Sequence, residues 1–473
     1  MSLTANTPFL MLPPIDKLLT QGGDDRILTD VQSGVNRYGC TPMPDPGLVA
    51  LGSSTASVIS AAAWNAAEQL REHWAHRLLN EPMREVFIDE AAQIGERVLN
   101  WLGLTSQQAN LPLAASGTDA HRVAAQRIAW KYSGPFKIVM VASTETGSGV
   151  SAALLAGLGQ DRATIITHVA LRERNGALRT QQLIEADMVQ HVTQGVTAGQ
   201  HVILIAIDVS KSGILAPSPR LLAQLSQRYT QQLTVLVDAC QLRLAPSTVR
   251  GYLQAGYVVM LTGSKFMTGP SFSGALLWPR GTDEIVAGQP DETPNFGLLL
   301  RWHAALCEMS AFTAWPESQV VQVIRQFSMA MTEYFAQAHC FAVLETNPLD
   351  RSMLAECGVW DRHLTLWSFV LKSSHHHQVA SSATTTQIYR QLQEGRMCED
   401  VSASHTAAWR CRFLLGQPVV CGDAQGEALS ALRISLSSGL LVTALSSGDR
   451  GIHAIIDHAT AALEKTNWLL RRL

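Results

Sequence analysis

Between about residues 111 and 278, short apolar runs alternate with stretches of helical spacing. Seven of these runs predict strands, at 111–115, 137–142, 163–167, 201–208, 233–238, 257–262 and 274–278. The run at 201–208, HVILIAID, is apolar at both odd and even positions. A strand of that kind is covered on both faces, as in a mostly parallel sheet packed between helices. The pattern therefore predicts an α/β fold with a mostly parallel seven-stranded sheet.

The flanks read differently. Residues 56–101 are rich in alanine, charge and spaced apolar positions, which predicts two helices broken near Asn80-Glu81-Pro82. After Pro294, helices are expected at 298–312 and 319–338, and strands at 364–371 and 432–436. This divides the chain into an N-terminal arm (1–50), a large domain (51–309) and a smaller α+β C-terminal domain (310–473).

Composition narrows the function classes. A chain of 473 residues with 47% hydrophobic side chains can bury a sizeable core. A net charge of -3 with 16% charged residues provides no basic stripe, so nucleic acid is not expected as a partner. The apolar start Leu10-Met11-Leu12 is cut short by Pro13 and Pro14, so neither secretion nor a membrane span is expected and the location is read as cytoplasmic. Eight cysteines without a CxxC pair argue against a zinc site or a disulfide framework. His375-His376-His377 reads as a solvated loop, because three consecutive histidines on a regular element cannot all face one ion and no metal site is expected there.

Candidate chemistry concentrates at strand ends. Lys265, in Thr262-Gly263-Ser264-Lys265, ends one expected strand, and Asp238, 27 residues earlier, ends its neighbour. An amine and a carboxylate at the carboxyl edge of an open sheet are what pyridoxal 5'-phosphate (PLP) requires at the two ends of its ring. The amine holds the aldehyde, and the anion keeps the pyridine nitrogen protonated. Ser116-Gly117-Thr118-Asp119 opens a helix, and its free backbone N–H groups suit a phosphate, although such turns are often only caps. Thr262 and Ser264 offer two further hydroxyls beside the lysine. Asp208 reads as a cap or turn residue, while Lys211 falls at the same sheet edge. Arg433 lies between apolar residues of a late strand and needs an anionic partner, either an internal carboxylate or a substrate's.

Taken together, these segments resemble the fold-type I PLP enzymes, and among them the class V aminotransferase and cysteine desulfurase group, over about residues 36–440. Asp238-Ala239-Cys240-Gln241 resembles that group's Asp-x-x-Gln, which implies Asp238 on the pyridine nitrogen and Gln241 on the ring hydroxyl. Thr262-Gly263-Ser264-Lys265 resembles its Ser-Gly-His-Lys, implying Lys265 as the Schiff-base lysine. Gly269-Pro270 and Gly274-Ala275-Leu276 follow in the expected order, and Gly52-Ser53-Ser54 is similar to an early Pro-Ser-Ser stretch. Thr293-Pro294-Asn295 resembles a segment whose threonine reaches the partner subunit's phosphate, implying a homodimer with shared active sites. The resemblance also puts Arg433 on the substrate carboxylate.

Departures from the group's pattern bear on the reaction. Ser143-Thr144-Glu145-Thr146-Gly147 falls where Glu-His-His is usual, so Thr146 stands in for a histidine stacked on the ring. Lys211 falls where desulfurases carry an asparagine, and either holds an extra anionic substrate group or tunes the ring. Glu292 replaces a glycine, and Cys411 and Cys421 sit in apolar surroundings that do not suit a catalytic cysteine loop. Asn36, Arg37, Tyr38 and Arg243 are candidates for the mouth of the site. The implied activity is that of a PLP-dependent aminotransferase acting on an amino acid or amino acid derivative. A lyase, decarboxylase or carbon–carbon bond-forming enzyme is the alternative, and a non-catalytic PLP-fold binding protein is the rival of another class.

Overall fold

The computed structural model describes residues 12–53, 56–281, 294–372, 379–394, 411–424 and 426–473. In chain order its strands are β1 (Leu48–Ala50), β2 (Ala109–Asn110), β3 (Leu113–Ala114), β4 (Phe136–Val141), β5 (Thr164–Val169), β6 (His201–Ile207), β7 (Leu233–Ala239), β8 (Val258–Thr262), β9 (Gly274–Pro279), β10 (Phe341–Val343), β11 (Leu366–Leu371), β12 (Arg412–Leu414), β13 (Gly416–Ala424) and β14 (Glu427–Ser435). The large sheet runs β2-β9-β8-β7-β6-β4-β5, with β3 also on β9. From β5 to β8 every pairing is parallel, and only the β9 side is antiparallel. The α/β architecture with a mostly parallel sheet is the one the apolar runs predict. It has eight strands rather than seven because a short strand, β2, precedes the run at 111–115 and pairs with β9 as β3 does, with Pro112, which has no N–H for the ladder, between the two.

Side-chain alternation divides the core. In β6, Val202, Leu204 and Ala206 face one apolar cluster, with Ile184, Met188 and Leu222 from the helices Gln181–Thr197 and Pro219–Arg228. Ile203 and Ile205 face the other, with Ala124, Ile128 and Leu154 from the helices Gly117–Lys131 and Val150–Leu158. All seven β6 residues are buried, as a strand covered on both faces requires. At the edge, β5 is only partly covered, and Ile165 is exposed.

The C-terminal part forms an antiparallel sheet, β10-β11-β14-β13, packed by the helices Glu317–Gln337, Ser382–Leu392 and Gly448–Leu470. Two buried arginines fasten other segments to the large sheet. Arg301, on the helix Phe296–Thr313, donates to the carbonyls of Phe272 (3.0 Å), Leu19 (3.3 Å), Gln21 (2.6 Å) and Gly22 (3.1 Å) and so pins the N-terminal arm. Arg351 forks onto Asp208 at the end of β6, donating from Nε at 2.7 Å and from a terminal nitrogen. Tyr252 donates to the same carboxylate at 2.7 Å, so Asp208 is an interior ion-pair residue and not a turn cap. Among the described residues no helix is long and apolar enough to cross a membrane.

Candidate active site

The parallel strands end at a cavity of about 410 Å³. Because β4, β6, β7 and β8 point the same way, their following residues converge: Thr146 after β4, Lys211 after β6, Asp238 and Gln241 at β7, and Thr262, Ser264 and Lys265 at β8. Ser116, Gly117 and Thr118 add the start of a helix, Arg433 comes from β14, and Tyr38 from the N-terminal arm. These residues are far apart in the chain and line one space.

One end of the cavity suits an anion. Ser116 caps the helix Gly117–Lys131, its hydroxyl accepting from Asp119 N (3.1 Å) and donating to Asp119 Oδ2 (2.8 Å). A Cβ at Gly117 would lie 2.7 Å from Cys240 Sγ and 3.2 Å from Thr262 Cγ2, so only glycine lets the helix start this close to β7 and β8. The Thr262 hydroxyl donates to Cys240 O (2.5 Å), and Ser264 Oγ lies 3.4 Å from it. Lys265 has φ +61°, a conformation unusual for a side-chain-bearing residue and typical of functional turns.

The other end is built around Asp238. Its Oδ2 accepts from Thr146 Oγ1 (2.9 Å) and its Oδ1 from Cys240 N (3.2 Å). His121, four residues into the helix and buried, places Nε2 3.7 Å from Oδ2. Its Nδ1 is 2.7 Å from Gly117 O; a carbonyl only accepts, so Nδ1 carries a proton and Nε2, which makes no hydrogen bond, is the nitrogen turned to the carboxylate. Burial pushes the Asp238 carboxyl up, but His121, Lys265 and the hydrogen bonding from Cys240 together more than offset it and hold the group below its usual range. Burial and Asp238 push the thiol of Cys240, on the cavity wall, well up, so it stays protonated.

Several expectations are redirected. Gln241 Nε2 donates to Val209 O (3.1 Å) and Ser210 O (2.6 Å) in the strap after β6, and its oxygen accepts from Arg243 Nε (3.0 Å), so both ends of the amide are bonded within the chain. Arg243 lies behind the cavity, bonded to Thr365, Leu436 and Ser53. Asn36 is not on the cavity: its Oδ1 accepts from Tyr38 N (2.9 Å) and Cys40 N (3.2 Å), an Asx turn shaping the arm beside a separate hole of about 30 Å³. Thr293, Glu292, Ser54, Cys398 and His375-His376-His377 lie outside the described residues.

His121 and Glu145 escaped the sequence reading. His121 follows Gly117 by four positions, which stacks it under the glycine turn on one helix face, and that spacing was the available signal. Glu145 accepts from Arg172 Nε (3.2 Å), Ser210 Oγ (2.7 Å) and Ser212 N (3.1 Å), a buried network from three separate loops with no local signature.

Comparison with known protein families and with curated proteins finds no match. Solved structures do match over most of the chain. A NifS-like protein from Rickettsia africae ESF-5 is 12% identical with a TM-score of 0.52, covering 88% of this chain and 99% of its own. The cysteine desulfurase CsdA from Escherichia coli is 14% identical with a TM-score of 0.53, covering 88% and 94%. Oryza sativa TDC with PLP is 14% identical with a TM-score of 0.52, covering 92% and 85%. This chain has the type I fold of PLP enzymes. At these identities the likeness carries the architecture, and the chemistry has to be argued from this chain's own residues.

Proposed function

We propose that the protein is a PLP-dependent enzyme acting on an amino acid or amino acid derivative, with aminotransfer as its reaction. The supporting observation is that Lys265, Asp238 and the helix start at Ser116–Thr118 share one cavity. Its residues fit the cofactor: the backbone N–H groups at the helix start and the Ser264 hydroxyl suit a phosphate, an ionised carboxylate suits a pyridinium, and the Lys265 amine lines the same cavity, while the Thr262 proton goes to Cys240 O. When bound, PLP supplies an aldehyde for amines and a protonated ring that draws electrons from a substrate's α-carbon.

Asp238 holds the proton on the ring nitrogen, and Thr146 and the Cys240 N–H fix the carboxylate's orientation. With its amine free, Lys265 Nζ would be the base that takes the proton from the substrate's α-carbon and carries it to the cofactor's former aldehyde carbon. Arg433, in the cavity wall, matches a carboxylate with its planar fork. The reading includes a cytoplasmic homodimer with shared sites, through the resemblance at Thr293, and a monomeric mass in sedimentation would remove that part. Elimination, decarboxylation or carbon–carbon bond chemistry is the second reading, favoured by Thr146 in place of an imidazole.

The test begins with the colour of the purified protein. A visible band is expected, with borohydride reduction fixing cofactor mass on the peptide that contains Lys265 and Lys265→Ala abolishing both. Adding an amino donor alone should then convert the cofactor to its pyridoxamine form. A band unchanged by every donor sinks aminotransfer, and no band even after added PLP sinks the enzyme reading.

A further inference from the structure

The cavity carries more positive charge than the proposed reaction uses. Arg26, which is paired with Asp24, lines it together with Arg37, Lys211, Lys265 and Arg433, against the carboxylates Glu145 and Asp238. Neither carboxylate answers Lys211. Glu145 is taken by Arg172, Ser210 and Ser212 from behind, and Asp238 is engaged by Thr146 and faces His121. The Lys211 ammonium, with three N–H groups to give, donates to Ser143 O at 3.2 Å, and among the described residues it forms no ion pair. Its backbone is fixed: Lys211 N donates to Glu145 O (2.9 Å), and Lys211 O accepts from Arg433 Nη1 (3.4 Å). Arg433 and Lys211 are thus held side by side on the wall that also carries Lys265. Burial first, then Arg433 and Lys265, push the Lys211 ammonium down to about 8.

A neutral or apolar side chain seated here would bury the ammonium further with no counter-charge, which is costly. We propose that the substrate is a dianionic amino acid, with its α-carboxylate on Arg433 and a second oxyanion, a carboxylate or sulfonate at the end of its side chain, on Lys211. The proposal rests on the reading of the site as that of a PLP enzyme. Arginine's flat fork suits the carboxylate, and lysine, a point charge on a flexible stem, accepts either a planar or a tetrahedral oxyanion. Arg37, exposed at the mouth, adds an attractive field for a dianion.

Calorimetric titration of the holoenzyme with unreactive acids tests this without turnover. Succinate, glutarate and 3-sulfopropionate are each compared with butyrate. At least one dianion should bind about tenfold to a hundredfold more tightly than butyrate, the range for a hydrogen bond to a charged group; whether the dicarboxylates or the sulfonate lead tells which oxyanion the site prefers. Lys211→Gln should bring dianion and monoanion to within about twofold of each other, and Lys211→Arg, which keeps the charge, should retain the preference. Equal binding of butyrate and all three dianions by the wild-type protein overturns the proposal. So does a preference that survives Lys211→Gln, or a variant whose only change is in the visible cofactor band, since Lys211 would then serve the ring. Lack of a visible band in the wild-type protein instead removes the PLP reading, so the two failures are distinguishable.

Discussion

Two aspartates end adjacent strands and have opposite surroundings. Asp208 follows β6 and Asp238 lies in β7, and Asp208 N donates to Asp238 O at 2.9 Å, so their backbones touch. Asp208 is sealed: Arg351 forks onto it, Tyr252 donates to it, and Arg351 is held in turn by Asp361 O at 2.6 Å. Asp238 faces a cavity that Lys265 and Lys211 also line, and among the described residues Lys211 forms no ion pair there. Where every charge is answered inside the chain, the result is a clamp between segments; where some are left for a ligand, the result is a site.

The largest effect should come from breaking the clamp. Asp208→Ala leaves the Arg351 guanidinium buried without its anion and should cost about 3–5 kcal/mol of folding stability. Asp238→Asn should cost less than that in the cofactor-free protein, yet lower kcat/KM at least about a hundredfold, roughly 3 kcal/mol of lost charge-assisted bonding to the ring nitrogen. Denaturant unfolding and steady-state kinetics on both variants separate the two roles. Equal stability losses with similar residual activity would erase the distinction between clamp and site.

The contrast also explains what the sequence made legible. The β6 run announced a strand buried on both faces, because burial is written in apolar residues at every position. The Asp238 and Lys265 pair was readable because each ends such a run at the same sheet edge. Arg351 reaching Asp208 was not, since the partners are 143 positions apart and the intervening chain is irregular around residues 344–363. The strap Ser143–Gly147 was noticed for the histidine it lacks. What it does depends on Thr146 meeting Asp238 and Glu145 meeting Arg172, contacts that only the folded chain brings about. Asn36 was misread for the opposite reason: a polar residue beside the expected mouth proved to be bonded to its own loop.

A smaller effect sharpens the cavity side of the comparison through pH. Lys211 is held at about 8 in the fold, against 10.5 for an unhindered lysine, and the charges it faces are Arg433, Lys265, Glu145 and Asp238. Below pH 8 both folded and unfolded chains carry the proton, and the folded one does so at a cost. Between about pH 8 and 10.5 the unfolded chain binds more protons, so this residue's contribution to stability rises with pH. Lys211→Met should therefore stabilise the cofactor-free protein at pH 7 by up to about 3 kcal/mol, and the advantage should shrink through that window. An oxyanion bound at Lys211 should mask the same gain at pH 7. Melting curves of both proteins from pH 7 to 10, with and without glutarate, measure it; a variant less stable than wild type at pH 7 would mean that the charge is already answered.

The smallest effect concerns His121, which stands to Asp238 as Arg351 stands to Asp208, but at 3.7 Å and without a hydrogen bond. Asp238 sits below the usual carboxyl range partly because of it, so its contribution to stability is present above that range and is lost as pH falls. His121→Asn keeps a donor near Gly117 O and removes the imidazole from the carboxylate. The protein should still fold, acid unfolding should begin at higher pH, and the cofactor should be held about tenfold less tightly, close to 1.4 kcal/mol. A packing role alone predicts a different result: His121→Phe, which fills the space, would then restore cofactor affinity. If Phe restores it, the imidazole is only filling a gap under the helix; if both variants lose it, His121 acts on the ring through Asp238.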